Sequence, residues 1–161
     1  SPAVGACRRG EPHCALRGRT RHPLRRTLRA IQSIISLPAW SVPAETLALA
    51  TVALEGAADK LAESPVVLHC GELIDAFDLL VILTGRNDRQ VKAIAEEIER
   101  VAGLSGRSPL REEGWTEGQW IALDYGDVIV HVFDSEHREY YDLEHLWSAA
   151  PAYRPELPNQ R

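Results

Sequence analysis

The stretch WIALDYGDVIVHVF, Trp120 to Phe133, decides the fold. Two apolar runs, residues 120–123 and 128–133, flank Asp124, Tyr125, Gly126 and Asp127. Asp and Gly are turn formers, and Gly126 can take positive φ. The spacing predicts a β-hairpin with its tip at residues 124–127. REYYDLEHLW, Arg138 to Trp147, follows closely, with Tyr140, Tyr141 and Trp147 among acids and bases. That is too ordered for a linker and too aromatic for a plain acidic surface.

Working upstream, residues 114–118 turn the chain between two glycines. Residues 109–113 read as an edge strand kept soluble by Arg111, Glu112 and Glu113. Val91, Ile94, Ala95, Ile98 and Val101 recur at helical spacing, with Gly103 closing the helix. Asn87 followed by Gln90 is a variant of the capping box. Residues 79–83, Leu-Leu-Val-Ile-Leu, form an unbroken apolar run, as a strand covered on both faces would. Residues 66–70 read as a shorter strand. A first helix is expected to start at a Ser41 cap with Pro43 in its first turn, carrying the stripe Leu47, Thr51, Leu54, Ala58 and Leu61. Glu63, Ser64 and Pro65 end it. Downstream, residues 143–149 predict one short terminal helix, and Pro151, Pro155 and Pro158 mark a loose tail.

The expected order is α-β-β-α-β-β-β-α. Helices packed on a mixed sheet of about five strands satisfy it, an α/β (α+β) arrangement. The expected organisation is an Arg-rich segment at 1–44, one domain at 45–150 and a loose tail at 151–161.

At 161 residues with 45% hydrophobic content, the chain can bury a real core. No apolar run approaches the roughly 20 residues of a membrane-spanning helix. The net charge of −5 hides an asymmetry. Residues 1–44 hold eight Arg and one Glu, whereas residues 45–161 hold ten Lys and Arg against twenty-two Asp and Glu. The acidic body repels nucleic-acid backbones and suits a basic partner. The basic segment resembles an organellar targeting sequence, though it is poor in Ser. A disordered arm, an extraneous segment or a basic arm on ribosomal RNA are the other readings. The compartment follows from that choice: bacterial cytoplasm in one case, mitochondrion or plastid in the other. Cys7, Cys14 and Cys70 make no disulfide framework, and Cys70 reads as a small buried hydrophobe.

Three constellations bear on chemistry. Asp124 and Asp127 at the hairpin tip offer two carboxylates for Mg²⁺, but Asp is also a good turn residue, and no third carboxylate or phosphate-binding turn accompanies them. His69, His131, His137 and His145 lack metal-ligand spacing, and His131 in an apolar strand reads as structural. Thr84, Gly85, Arg86 and Asn87 precede a helix and offer amides to an anion, without the full glycine-rich signal. No cofactor motif is present. Trp120, Tyr125, Tyr140, Tyr141 and Trp147 combine amphipathic rings with a polar rim, the composition of an interface hot spot.

Three segments carry a resemblance: DLLVILTGRNDRQVKAIAEEIE (Asp78 to Glu99), EGQWIALDYGDVIVHVF (Glu117 to Phe133) and REYYDLEHLW (Arg138 to Trp147). In this order and with these gaps, the chain resembles the ribosomal silencing factor, or Iojap, family over about residues 45–150. Phe77, Leu79 and Asn87 stand where that family more often has Thr, an aromatic or Ala, and Ser. The resemblance implies a nucleotidyltransferase-like fold without catalysis. It implies a translational repressor that binds the large ribosomal subunit through its basic protein fourteen and prevents subunit joining when nutrients are scarce. Trp120, Asp124, Tyr125, Asp127, Tyr140, Tyr141 and Glu144 are then expected to line or support the binding surface, and a homodimer is expected of the free protein. The alternative from another class is a metal-dependent, nucleotidyltransferase-like enzyme using Asp124 and Asp127.

Overall fold

The computed structural model describes residues 40–157. The basic segment, and with it Cys7, Cys14 and the expectations attached to them, falls almost wholly outside the described residues. Among the described residues the elements are α1 (Ala44–Asp59), β1 (Glu63–His69), β2 (Leu79–Gly85), α2 (Asp88–Leu104), β3 (Arg111–Glu113), β4 (Trp120–Asp124), β5 (Val128–Asp134), α3 (Ser135–Tyr141), α4 (Leu143–Leu146) and β6 (Ala152–Tyr153). The strands form one mixed sheet in the order β3-β4-β5-β2-β1-β6. Only β2 and β5 run parallel, and α2 lies in the connection between them.

β2 is buried along its whole length because both of its faces are covered. Leu79, Val81 and Leu83 enter the core beneath α1 and α2, while Leu80 and Ile82 enter a second core beneath α3 and α4. β4 and β5 alternate instead. Ile121, Leu123, Val128, Val130 and Val132 face α1 and α2. Trp120, Ile129 and Phe133 face the other way. The run of apolar residues and the two-residue period are thus read directly into one covered and one partly covered strand environment.

α2 meets the expectation closely. Asn87 Oδ1 accepts from the Gln90 N–H at 2.8 Å. Gln90 Oε1 returns a bond to the Arg86 N–H at 2.7 Å, one residue outside the usual box. The expected apolar stripe is buried at Val91, Ile94, Ala95 and Ile98. α1 is less amphipathic than its pattern implied: Ala50, Ala53 and Ala57 are fully buried alongside Leu49 and Leu54. Small residues let α1 lie against both the sheet and α2.

Several expectations are corrected. Pro43, not Ser41, is the α1 N-cap, and no side chain caps it. Leu61 falls beyond the helix with φ +59 and is half exposed, so it leaves the apolar stripe. The sheet has six strands rather than about five. The helix expected at 143–149 is shorter, Leu143–Leu146, and an unexpected helix precedes it: Asp134 caps α3 by accepting from the His137 N–H at 2.7 Å, and Asp142 in the left-handed region separates α3 from α4. The segment after residue 150 is not loose where described, since Ala152 and Tyr153 pair with Leu68 and Val67, and Leu157 is buried.

Candidate functional site

The site is built where the hairpin meets α3. β4 and β5 pair so that Trp120 lies opposite Phe133. Their rings stack with centroids 5.0 Å apart. α3 starts directly at the end of β5 and returns Tyr141 onto Trp120 at 4.6 Å. Tyr140 stands edge-on to Tyr141, at 5.0 Å and 86°. The inner end of this row, Phe133, is fully buried, while Tyr141 is 46% and Tyr140 79% exposed. The row therefore runs from the core into solvent.

A polar pair locks its base. Trp120 Nε1–H donates to His131 Nδ1 at 2.8 Å. An accepting Nδ1 requires the neutral ring. Burial pushes the His131 imidazole down to about 4, against a weaker upward pull from Asp124. Close entry into the hairpin depends on Gly114, whose φ is +89 and whose absent Cβ would run into the Trp120 carbonyl.

The hairpin tip divides its side chains. Asp124 Oδ1 accepts from the Gly126 N–H at 2.8 Å, and Gly126 takes φ +91. By the strand alternation Asp124 shares the face of Trp120. Tyr125 turns the other way and is only 4% exposed, packed in the core beneath α1 and α2. Burial pushes its phenol up to about 12, with Glu99 and Glu112 adding to the effect. Asp127 Oδ1 accepts from Arg107 Nη2 at 2.5 Å, and Oδ2 accepts from the Thr46 hydroxyl at 2.8 Å. Burial disfavours the Asp127 carboxylate, but those two donors outweigh it and hold its pKa below the ordinary value. Asp127 thus ties the start of α1 and the loop after α2 to the hairpin.

Glu144 is a second strut. Its Oε1 accepts from Arg138 Nε at 3.0 Å and Nη2 at 2.6 Å, and its Oε2 accepts from Arg154 at 2.8 Å. Burial raises its pKa, and the two guanidiniums more than reverse that. Arg138 also donates to the Ser64 carbonyl at 2.6 Å and the Thr84 hydroxyl at 2.7 Å. These groups line an open cleft of about 430 Å³ whose cationic groups are already engaged.

The structure therefore brings together Trp120, Tyr140 and Tyr141, with Asp124 on the same sheet face. It separates Tyr125 and Asp127, which serve the opposite layer, and Glu144, which holds α3 and α4. Trp147 packs edge-on against Phe77 at 5.5 Å, as a residue pinning the last helix should. Asp124 and Asp127 point to different layers with different partners, so the two-aspartate metal geometry does not form. Among the described residues, no group of three or more His, Cys, Asp and Glu side chains could hold a metal ion. His137 Nδ1 lies 2.8 Å from Asp134 Oδ1, and His69 is buried against Trp40. Of the amides before α2, that of Arg86 is taken by Gln90 Oε1, and the Arg86 side chain pairs with Glu63 at 2.8 Å. Arg107 and Arg138 were missed at the sequence level. Arg107 meets Asp127 20 residues away, and Arg138 bridges Glu144, six residues on, to Thr84, 54 residues back, so only the fold shows either as a tie.

Comparison with known proteins fits this geometry to a family. The family model described as ribosomal silencing factor during starvation matches residues 43–161. The ribosomal silencing factor of Halalkalibacterium halodurans is 41% identical over 107 residues, covering 66% of this chain and 89% of that protein. That of Bacillus subtilis is 42% identical over 93 residues, covering 58% and 79%. A solved structure from Chromobacterium violaceum superposes with a TM-score of 0.62 at 33% identity, covering 63% of this chain and 84% of that one. No helix among the described residues is long and apolar enough to cross a membrane. The chain belongs to the ribosomal silencing factor family.

Proposed function

We propose that this chain lowers translation by occupying the large ribosomal subunit and blocking the small subunit from joining it. The contact is made with a basic ribosomal protein, protein fourteen, beside the subunit interface. The mechanism needs no chemistry, only occupancy of a surface that the small subunit also requires. The observation that carries this is the aromatic row Phe133, Trp120, Tyr141, Tyr140, which is anchored in the core and ends in solvent. A rigid aromatic anchor loses little conformational entropy on binding, which is why such residues dominate protein interfaces. The acidic balance of residues 45–161 supports a basic protein over an RNA backbone.

Within the surface, Trp120, Tyr140, Tyr141 and Asp124 face the partner, while Tyr125, Asp127 and Glu144 hold them in place. Co-sedimentation with purified large subunits tests this. Wild type should pellet with them and Tyr141→Ala should lose about 2 kcal/mol of binding, roughly thirtyfold. A folded Tyr141→Ala protein that binds as wild type would rule the surface out.

A further inference from the structure

α2 and the edge strand β3 meet through two carboxyl groups. The register that sets Glu112 opposite Leu123 places Glu112 on the sheet face covered by α2. There its carboxyl hydrogen-bonds to that of Glu99 on α2. Two carboxylates are acceptors only, so this bond requires one proton held between them. Glu99 is half-buried and Glu112 is exposed, so that proton exchanges with solvent. Glu96, one turn back on α2, adds negative charge to the pair. Arg107 is a nearby cation, but Asp127 and the Tyr125 carbonyl already hold it. Strand alternation sends Arg111 and Glu113 to the opposite face, with Asp124 and Ala122. Tyr125 lies close by: both glutamates act on its phenol, and its buried hydroxyl has no hydrogen-bond partner among the described residues.

β3 itself is weakly held. Its three residues are all exposed, and it pairs on one side only, with β4. Residues 108–113 run between two fixed points, Arg107 on Asp127 and Gly114 against the Trp120 carbonyl. We propose that this segment is a pH-gated flap: one proton shared by Glu99 and Glu112 latches β3 to α2, and its loss releases the flap from β4. Without that proton the bond is gone and two like charges face each other across the contact. Release lets water reach the Tyr125 hydroxyl, which removes the cost of its missing partner and favours the open state. It also leaves β4, the strand that carries Trp120, with a free edge able to pair with another strand. Burial first, then the bond to Glu112, holds the Glu99 proton to about 7, against an ordinary 4.5 once the flap is released. The latch is therefore complete below pH 4.5 and is lost as pH rises through 7.

Amide hydrogen exchange on the whole chain, read by NMR as protection factors, tests this. The amides bonded between β3 and β4 should lose at least about tenfold in protection from pH 5 to pH 7.5. Those of β2, at the centre of the sheet, should not fall with them. Glu99→Gln and Glu112→Gln each remove one charge and leave an amide that donates to the remaining carboxylate. In either variant the β3 protection should stay within about twofold across the same range. A flat profile in the wild type, a parallel fall in β2, or an unchanged slope in both variants overturns the flap. A second measurement needs no variant. The side-chain carboxyl carbons of Glu99 and Glu112 should shift together, with a common midpoint near 7. Separate titrations, each near the ordinary 4.5, overturn the shared proton.

Discussion

His131 couples the binding face to acidity. Its ring must stay neutral to accept from Trp120, and its pKa is lowered from the ordinary 6.5 to about 4 by burial. A lowered histidine pKa means that the unfolded chain takes up the proton first. The stability is therefore complete above pH 6.5 and is lost as pH falls toward 4. The loss should reach up to ~3 kcal/mol at pH 4. Denaturant midpoints measured from pH 7.5 to 4 should fall, and His131→Gln should flatten the slope across that window. An unchanged slope would show that His131 is protonated in the fold. Glu99 has the opposite sign. Burial first, then its bond to Glu112, raises its carboxyl to about 7. The folded state holds that proton more tightly, so Glu99 costs stability as pH rises from 4.5 through 7. Glu99→Gln should raise the melting temperature at pH 8 and have little effect at pH 4.5. Asp127→Asn should cost roughly 1–2 kcal/mol of stability through Arg107 and Thr46, allowing for their partial exposure. The part of the protein that remains folded should still bind its partner.

At the scale of elements, the legible parts are those whose information is local. Asn87 caps α2 through a residue only three positions on, and Asn87→Ala should cost about 1 kcal/mol in thermal or chemical denaturation. The Asp124 to Asp127 hairpin was equally legible, because a turn is encoded by the residues within it. α3 was not. Its seven residues are bounded by Asp134 and Asp142, and it buries none of its own residues fully. With no apolar stripe, its helical state rests on the Asp134 cap and on Arg138 reaching across to Glu144. β6 was missed for a related reason. Two residues form no period, and the proline-rich segment looked like a tail until pairing with β1 gave it partners.

For the whole molecule, the last described residues close the structure. β6 covers the outer edge of β1, Arg154 completes the Glu144 strut, and Leu157 returns to the core beneath α1 and α2. Truncation after residue 150 should therefore lower stability by roughly 2–4 kcal/mol, read as a fall in melting temperature. A truncated chain as stable as the full one would restore the loose-tail view. Of the candidate site, the aromatics of the hairpin and of REYY were visible as residue types. Their division between contact and support was not. β1 to β5, α2, the hairpin tip and the acidic character of the body were legible in the chain alone, because periodicity, turn chemistry and charge are carried by neighbouring residues. Only the tertiary structure decided that Tyr125 and Asp127 turn inward while Trp120, Tyr141 and Tyr140 form a row to the surface. The direction of a side chain at a hairpin tip depends on which layers cover each face, and those layers come from α1 and α2, which lie well upstream, and from α3, which folds back over the sheet directly after β5.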